Sequence, residues 1–182
     1  LVDSISFVIC KATEGLTEMD PDFASNWSLL NERKIVKGAY HFFHVDDDPI
    51  QQAEFFWSVI QKHGPAEIAP IVDIEQAGMG TQTDPVKIQV ALLLFLKHLE
   101  GKVSRVPMIY TGEYFANTYL VNDSFAKYPL WLAEYTQASF PSIPLTWKNA
   151  GFRIWQKSDE YSIDSKLTDL DVHFGNMDDL IK

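Results

Sequence analysis

Two carboxylates stand two positions apart at the end of an apolar run. The run 68–74 is rich in β-branched residues, and Asp73 and Glu75 lie at its end. Because side chains at i and i+2 of a β-strand point to the same face, both acids would enter one cleft. Two acids in one cleft raise each other's proton affinity, so one can stay protonated near neutral pH while the other is charged. Glycoside hydrolysis uses such a pair, although Asp-x-Glu taken alone is more often a solvated strand end.

Aromatic and polar residues near the ends of other apolar runs favour the hydrolytic interpretation. Flat rings stack on sugars, and Tyr hydroxyls and Gln amides can orient them, so we predict a carbohydrate cleft. Strand aromatics are mostly buried. A core position is therefore as well supported as a cleft position for Trp131, and it is favoured for Trp155. The candidate substrate-binding residues are Tyr40, Tyr110, Trp131, Glu134 and Gln156.

Short strand-like runs alternate with longer segments of helical period, which predicts an α/β fold of parallel strands joined by helices. Helices are predicted over 22–32, 50–61 and 86–99, and the last two follow an Asp-Pro pair that supplies an N-cap and a first-turn Pro. After residue 111 the pattern is richer in strands. The predicted strands are 5–11, 35–43, 68–74, 106–111, 130–135 and 152–156, with a weak one near 170–174.

The composition is typical of one globular domain. The chain has 182 residues, of which 46% are hydrophobic and 13% aromatic, so we treat 1–182 as a single domain with one core. The net charge of -10 argues against nucleic acid as a partner, because phosphate binding needs clustered Lys and Arg. No apolar run approaches about 18 residues, so no membrane span is predicted. No leader pattern opens the sequence, so no signal peptide is predicted.

Eight short motifs follow one another along nearly the whole chain. They are FVICKATEG at 7–15, DF and NW within 22–27, GAYHF at 38–42, DIE at 73–75, IYT at 109–111, LWLA at 130–133, WQ at 155–156 and DLD at 169–171. In this order they resemble the glycoside hydrolase family 25 lysozymes, the Chalaropsis-type muramidases. Ordered agreement at eight places is far more specific than any single motif.

The resemblance implies a modified TIM-type β/α barrel with about eight strands and five helices. It implies cleavage, outside the cytoplasm, of the β-1,4 bond between N-acetylmuramic acid and N-acetylglucosamine. The expected partner is the glycan strand of peptidoglycan, with no metal or organic cofactor. Glu75 matches the proton donor, and Asp73 matches the acid that stabilises the intermediate or positions the substrate N-acetyl group. Asp169 matches an acid at the rim, whereas Asp171 stands where the family usually has Asn.

The N-terminal part departs from the family pattern. The family opens with a strand that carries an Asp-x-Ser motif some tens of residues before the KATEG motif, and only ten residues precede that motif here. Asp3 precedes the strand predicted over 5–11 and would lie at the opposite mouth of the barrel. We therefore expect the first strand to be absent from this chain, which leaves a barrel edge exposed to a partner protein or to the missing segment. A module that binds glycan or a partner without cutting is the alternative.

Several other polar residues are better explained by structure than by chemistry. His41 and His44 are three apart, so they face opposite sides of a strand and make a poor metal pair for a zinc amidase or deacetylase. His41 is instead expected to pack or hydrogen-bond within the barrel. The acidic run 46–48 is expected to start a helix and not to bind calcium. Structural roles are also predicted for the remaining candidates, Cys10 as a buried thiol and Lys11 with Glu14 as an ion pair.

Overall fold

A curved sheet of eight strands, accompanied by five helices, organises the part of the chain that the computed structural model describes, residues 5–163 and 166–181. The predicted position of Asp3, at the opposite mouth of the barrel, concerns a residue outside the described ranges. The elements are β1 (Phe7–Glu14), β2 (Glu18–Met19), α1 (Phe23–Arg33), β3 (Val36–Phe42), α2 (Pro49–Ile60), β4 (Ile71–Asp73), α3 (Pro85–Val103), β5 (Met108–Gly112), α4 (Glu113–Tyr119), β6 (Leu130–Ala133), β7 (Ile154–Ile163), β8 (Lys166–Val172) and α5 (Met177–Leu180).

The strand order is β2-β1-β3-β4-β5-β6-β7-β8. All neighbours from β1 to β7 are parallel, so their carboxyl ends meet at one edge of the sheet. The end strands β2 and β8 are antiparallel to β1 and β7, which corrects the expectation of parallel strands throughout. The reason is chain length: β7 and β8 are only two residues apart, and a parallel crossover needs about a dozen residues or more.

All seven predicted strands and all three predicted helices are confirmed. Their bounds shift by four residues at most, except that β7 ends seven residues later than predicted. The elements that the patterns missed, β2, α4 and α5, are too short to show a period. Among the described strands, β2 and β8 form the two ends of the order. A closed TIM-type barrel and an absent first strand therefore stay predictions. No helix within the described ranges combines the length and the apolar character that a bilayer crossing requires.

Successive residues of the central strands pack into two different clusters. Val72 and Ile109 belong to the larger core, with residues of the helices such as Phe95 of α3. Ile71 and Tyr110 belong to a smaller cluster on the inner face of the curved sheet. This division follows from the two-residue period of a strand, and it explains why strands covered on both faces read as continuous apolar runs. Asp73 lies two residues after Ile71 and hence on the inner face.

The predicted Asp-Pro helix starts are confirmed. The Oδ1 of Asp48 accepts hydrogen bonds from the backbone N–H groups of Ile50 and Gln51, both at 2.9 Å, with Pro49 in the first turn of α2. The acidic run 46–48 thus ends in a helix cap. The side chain of Asp84 caps α3 in the same way.

We expect Asp48→Ala to lower the free energy of unfolding by about 1 kcal/mol, because two N-terminal N–H groups lose their acceptor. Asp22 offers a matched control: it occupies the N-cap position of α1, but its side chain makes no capping hydrogen bond. Urea denaturation should therefore show a change within about 0.5 kcal/mol for Asp22→Ala. Equal losses in the two variants would contradict the capping role of Asp48.

Candidate active site

The acid pair lies where β4 ends. Asp73 is the last residue of β4 and stands in register with Phe42 of β3 and Tyr110 of β5. The chain stays extended at Glu75, with φ −151° and ψ 177°, and then forms a short 3-10 turn over Gln76–Gly78. The turn packs closely, since a Cβ added to Gly78 would lie 2.2 Å from the carbonyl oxygen of Phe43. Strand geometry and the tight turn thus set the positions of both carboxyls.

The two acids differ in depth. Asp73 is buried, and its Oδ1 has no hydrogen-bond partner among the described residues. Burial and, next, the charge of Glu75 raise the pKa of Asp73 well above its usual range, against the opposing charge of Lys11. Glu75 is half-buried, and burial raises its pKa as well. Both carboxyls therefore favour the protonated form more than exposed acids do, Asp73 the more strongly.

Three aromatic rings lie together on the inner face of the sheet. The rings of Tyr110 and Trp131 meet edge to face with centroids 4.6 Å apart, and the ring of Tyr40 lies 6.3 Å from that of Trp131. Trp131 is only 4% exposed, so it packs beneath the tyrosines. Burial and, next, the charge of Asp73 raise the pKa of both Tyr40 and Tyr110. Their hydroxyls therefore remain protonated donors at neutral pH.

Gln156 of β7 joins several polar groups. It is buried, and its Oε1 accepts hydrogen bonds from the hydroxyls of Tyr110 and Tyr135, both at 2.8 Å. A hydrogen bond from Gln156 also lowers the pKa of Asp169. Partial desolvation and the charge of Asp159 outweigh that effect and raise the pKa of Asp169, whose side chain is exposed on β8. Gln156 thus connects Tyr110 and Tyr135 to Asp169 through hydrogen bonds.

A cleft of about 280 Å³ opens beside Glu75, between the ends of β4, β5 and β6. Glu134 lines this cleft, and its carboxylate accepts the backbone N–H of Ser142. The backbone oxygen of Glu134 accepts the indole N–H of Trp155 at 2.8 Å. Trp155 itself is fully buried, as its sequence position favours. The other cleft-lining residues are Gln76, Tyr110, Gly112, Tyr114, Phe115, Ala133 and Tyr135.

Tyr135 was missed as a site residue. It lies beyond β6, and burial raises the pKa of its hydroxyl to about 12, so the group is a donor. The signal was present in the sequence, because residues 131, 133 and 135 share one face of an extended chain. What the sequence could not show is that Tyr135 and Tyr110 share one acceptor oxygen.

The structural roles predicted for the remaining polar residues are confirmed. Cys10 is buried, and burial raises the pKa of its thiol to about 11. Lys11 and Glu14 form an ion pair of 2.5 Å. His41 is fully buried between the Thr13 hydroxyl at 2.8 Å and the Gln52 side-chain oxygen at 3.1 Å. Within the described ranges, no group of three or more His, Cys, Asp or Glu residues is placed to hold a metal ion.

Known proteins resemble this sequence over most of its length. The sequence is 29% identical over 178 residues to YegX of Escherichia coli O6:H1 (strain CFT073), covering 97% of this chain and 62% of YegX. It thus spans less than two thirds of that relative. It is also 29% identical over 190 residues to the N,O-diacetylmuramidase of Arthroderma benhamiae, covering 96% of this chain and 74% of the enzyme.

Solved structures agree with these relatives. The family GH25 lysozyme from Aspergillus fumigatus superposes with a TM-score of 0.82 at 29% identity, covering 96% of this chain and 85% of that one. The model of the Glycosyl hydrolases family 25 matches residues 2–166. The resemblance of the eight ordered motifs is therefore confirmed, and the chain belongs to glycosyl hydrolase family 25.

Proposed function

We propose that this domain is a muramidase that cuts the β-1,4 bond between N-acetylmuramic acid and N-acetylglucosamine in peptidoglycan, and that it acts on the cell wall outside the cytoplasm. The observation that carries the proposal is the pair of Asp73 and Glu75, two acids with raised pKa values at the carboxyl end of one buried strand. Relatives named N,O-diacetylmuramidase and Lysozyme M1 support it. Because the pair is intact, hydrolysis is favoured over the alternative of binding alone.

Glu75 is the general acid of this proposal. Burial raises its pKa, so the carboxyl keeps its proton at a pH where an exposed Glu is charged. It is half-buried and lines the open cleft, so a substrate can reach it. Glu75 donates its proton to the glycosidic oxygen while the bond from that oxygen to the anomeric carbon of muramic acid breaks. A water molecule then forms the new bond to that carbon and gives a proton back to the Glu75 carboxylate.

Asp73 stabilises the positive charge that develops on the sugar, either directly or by orienting the substrate N-acetyl group. Burial makes Asp73 the stronger proton holder of the pair. Substrate reverses this preference, because an amide N–H donated to the free Oδ1 and a cationic sugar both favour the charged carboxylate. The unpartnered oxygen is thus ready for a substrate donor.

The surrounding residues bind and orient the glycan. Tyr40 supplies a hydroxyl donor, and Tyr110, whose O–H is donated to Gln156, supplies a hydroxyl acceptor. Trp131 supports both rings from below. Gln156 holds the Tyr110 hydroxyl in place. The carboxylates at the rim, Glu134 and Asp169, contact sugar hydroxyls or the N-acetyl groups. These groups need no metal or organic cofactor.

The free edge of β1 is the place for the partner contact that the sequence predicts. β1 pairs with β3 along its length, but among the described residues it pairs with β2 only at Thr13 and Glu14. A groove of about 400 Å³ runs beside it, with Val8, Cys10 and Leu30 in its lining. Unpaired strand backbone accepts further strands. An added strand, from a partner protein or from a further segment, fits this groove.

Digestion of purified peptidoglycan tests the proposed function. Fragments are reduced with borohydride and analysed by mass spectrometry, and we expect every new reducing end on muramic acid, with or without a chelator. New ends on glucosamine would contradict the proposed bond. Binding to peptidoglycan without release of fragments would support the binding module instead.

A further inference from the structure

A hydrogen bond crosses the inner face of the sheet from β6 to β8. The indole Nε1 of Trp131 donates to Oδ1 of Asp171 at 2.7 Å. β7 lies between the two strands, and Asp171 stands in antiparallel register with Gln156 of β7. Asp171 therefore reaches past the neighbouring strand to a ring on the next one. An indole has a single N–H donor, so the hydrogen bond to Asp171 uses the one polar group of the Trp131 side chain.

The ring that Asp171 holds supports both substrate-facing tyrosines. Trp131 contacts the ring of Tyr110 at 4.6 Å and that of Tyr40 at 6.3 Å. The charge of Asp73 acts on both tyrosines, so their hydroxyls lie in the field of the acid pair. A rotation of the Trp131 ring would displace these two contacts together. The Trp131 ring thus supports both tyrosines, together with Gln156, which accepts the Tyr110 hydroxyl.

We propose that Asp171 is a positioning residue of the cleft: its carboxylate fixes the Trp131 ring and, through that ring, the hydroxyls of Tyr40 and Tyr110. This deepens the proposed muramidase function and rests on it. Asp171 stands where the resemblance usually implies Asn. Asn keeps the acceptor oxygen but not the charge. Asp therefore adds a dependence on pH that the amide lacks.

The surroundings of Asp171 shift the pKa of its carboxyl toward neutral pH. Burial raises the pKa of Asp171, the Trp131 N–H lowers it and the charge of Asp169 raises it, and together these effects bring the pKa to about 7. On the paired strand β7, the neutral Gln156 stands opposite Asp171. The inner-face cluster includes Met177 and Leu180 of α5, whose acids Asp178 and Asp179 are exposed. Beyond Trp131 lie Tyr110 and Tyr40, which stay neutral in this range because burial raises their pKa values. Asp73 and Glu75 lie farther along the same face, at the end of β4. His173, just past β8, is hydrogen-bonded to the backbone oxygens of Arg153 and Asn176.

A fluorescence titration of the whole chain tests the contact without relying on activity. The emission of Trp131 is obtained as the difference between the wild type and Trp131→Phe, from about pH 5 to about pH 9. We expect a transition with a midpoint of about 7. Asp171→Asn should abolish the transition, and Glu160→Gln, which removes an exposed acid of β7, should leave it unchanged. A flat difference in the wild type, or a midpoint that persists in Asp171→Asn, would overturn the proposal.

Kinetics on peptidoglycan test the positioning role. Asp171→Asn should keep kcat near the wild-type value, whereas Asp171→Leu should lower kcat/KM about tenfold because the ring loses its only acceptor. In a Trp131→Phe background, Asp171→Leu should have no further effect. Additive losses would refute action through Trp131. If the wild type releases no fragments, the muramidase proposal fails, and the fluorescence titration still decides the role of Asp171.

Discussion

Glu75→Gln is expected to lower the rate of peptidoglycan hydrolysis by about 10²–10⁴-fold, the usual contribution of a positioned general acid. Gln keeps the size and polarity of the side chain, but it has no acidic proton to give to the leaving oxygen. The half-buried position of Glu75 in the cleft should stay intact. The loss should therefore appear in kcat with little change in KM, because ground-state contacts are retained. Release of reducing ends from purified peptidoglycan measures both constants.

The pH profile sharpens this prediction. Burial raises the pKa of Glu75, and the donor is its protonated form. Activity is therefore present below the raised pKa and lost as pH rises through it. The small residual activity of Glu75→Gln should lack this alkaline limb.

Glu113 provides the matched control. It is the first residue of α4, next to the cleft-lining Gly112, and its carboxylate accepts a hydrogen bond from the Asn117 side chain. Glu113→Gln removes one carboxyl of the same type and should keep kcat within about twofold of the wild-type value. Wild-type kcat in Glu75→Gln would assign the acid to another residue.

The placement of Glu75 could be predicted from sequence because it depends on local patterns. An apolar run long enough for a buried strand predicts β4, and the two-residue period puts Asp73 and Glu75 on one side. Parallel strands send their carboxyl ends to the same edge, which gathers Tyr40 and Tyr110 near the acids. This prediction does not depend on the order in which the strands pair.

The contact between Asp171 and Trp131 could not be predicted, because it depends on pairing and register. The two residues are 40 positions apart, and they meet only because β8 turns back antiparallel to β7. Nor could the sequence say which acid of the pair holds its proton more firmly. Spacing predicts that Asp73 and Glu75 interact, but the depth of each carboxyl decides the order, and burial is the largest influence on the pKa of Asp73.

Asp73→Asn is expected to make the domain more stable and the enzyme much slower. The pKa of Asp73 in the folded state is raised above its unfolded value, so the folded state holds the proton more firmly. The free energy of unfolding therefore falls as pH rises from the ordinary pKa range of Asp through the raised folded pKa. In this range the unfolded chain releases the proton readily, whereas the folded chain must keep it or bury a charge. Asn removes this cost. We expect Tm to rise by a few degrees at neutral pH, since each kcal/mol is worth about 2–4 °C in a domain of this size.

The sign of the effect can be checked by changing pH. The gain in Tm should shrink as pH falls toward about 3, where an exposed Asp is also mostly protonated. Asp123→Asn is the control, because it removes one exposed carboxyl outside the cleft and should change Tm little at any pH. A gain of equal size at every pH would mean that Asn packs better than Asp, and it would contradict a titration effect.

Activity and stability together separate a catalytic acid from a merely buried one. The charge of Asp73 helps only when positive charge develops beside it, so its removal should lower kcat by about 10²-fold or more while Tm rises. A buried acid without a catalytic role would show the same rise in Tm with unchanged kcat. The Oδ1 of Asp73 favours the first outcome, because a buried oxygen without a donor among the described residues costs stability, and a donor that arrives with the substrate would explain it. We therefore expect the same buried carboxyl to lower the stability of the fold and to raise the rate of hydrolysis.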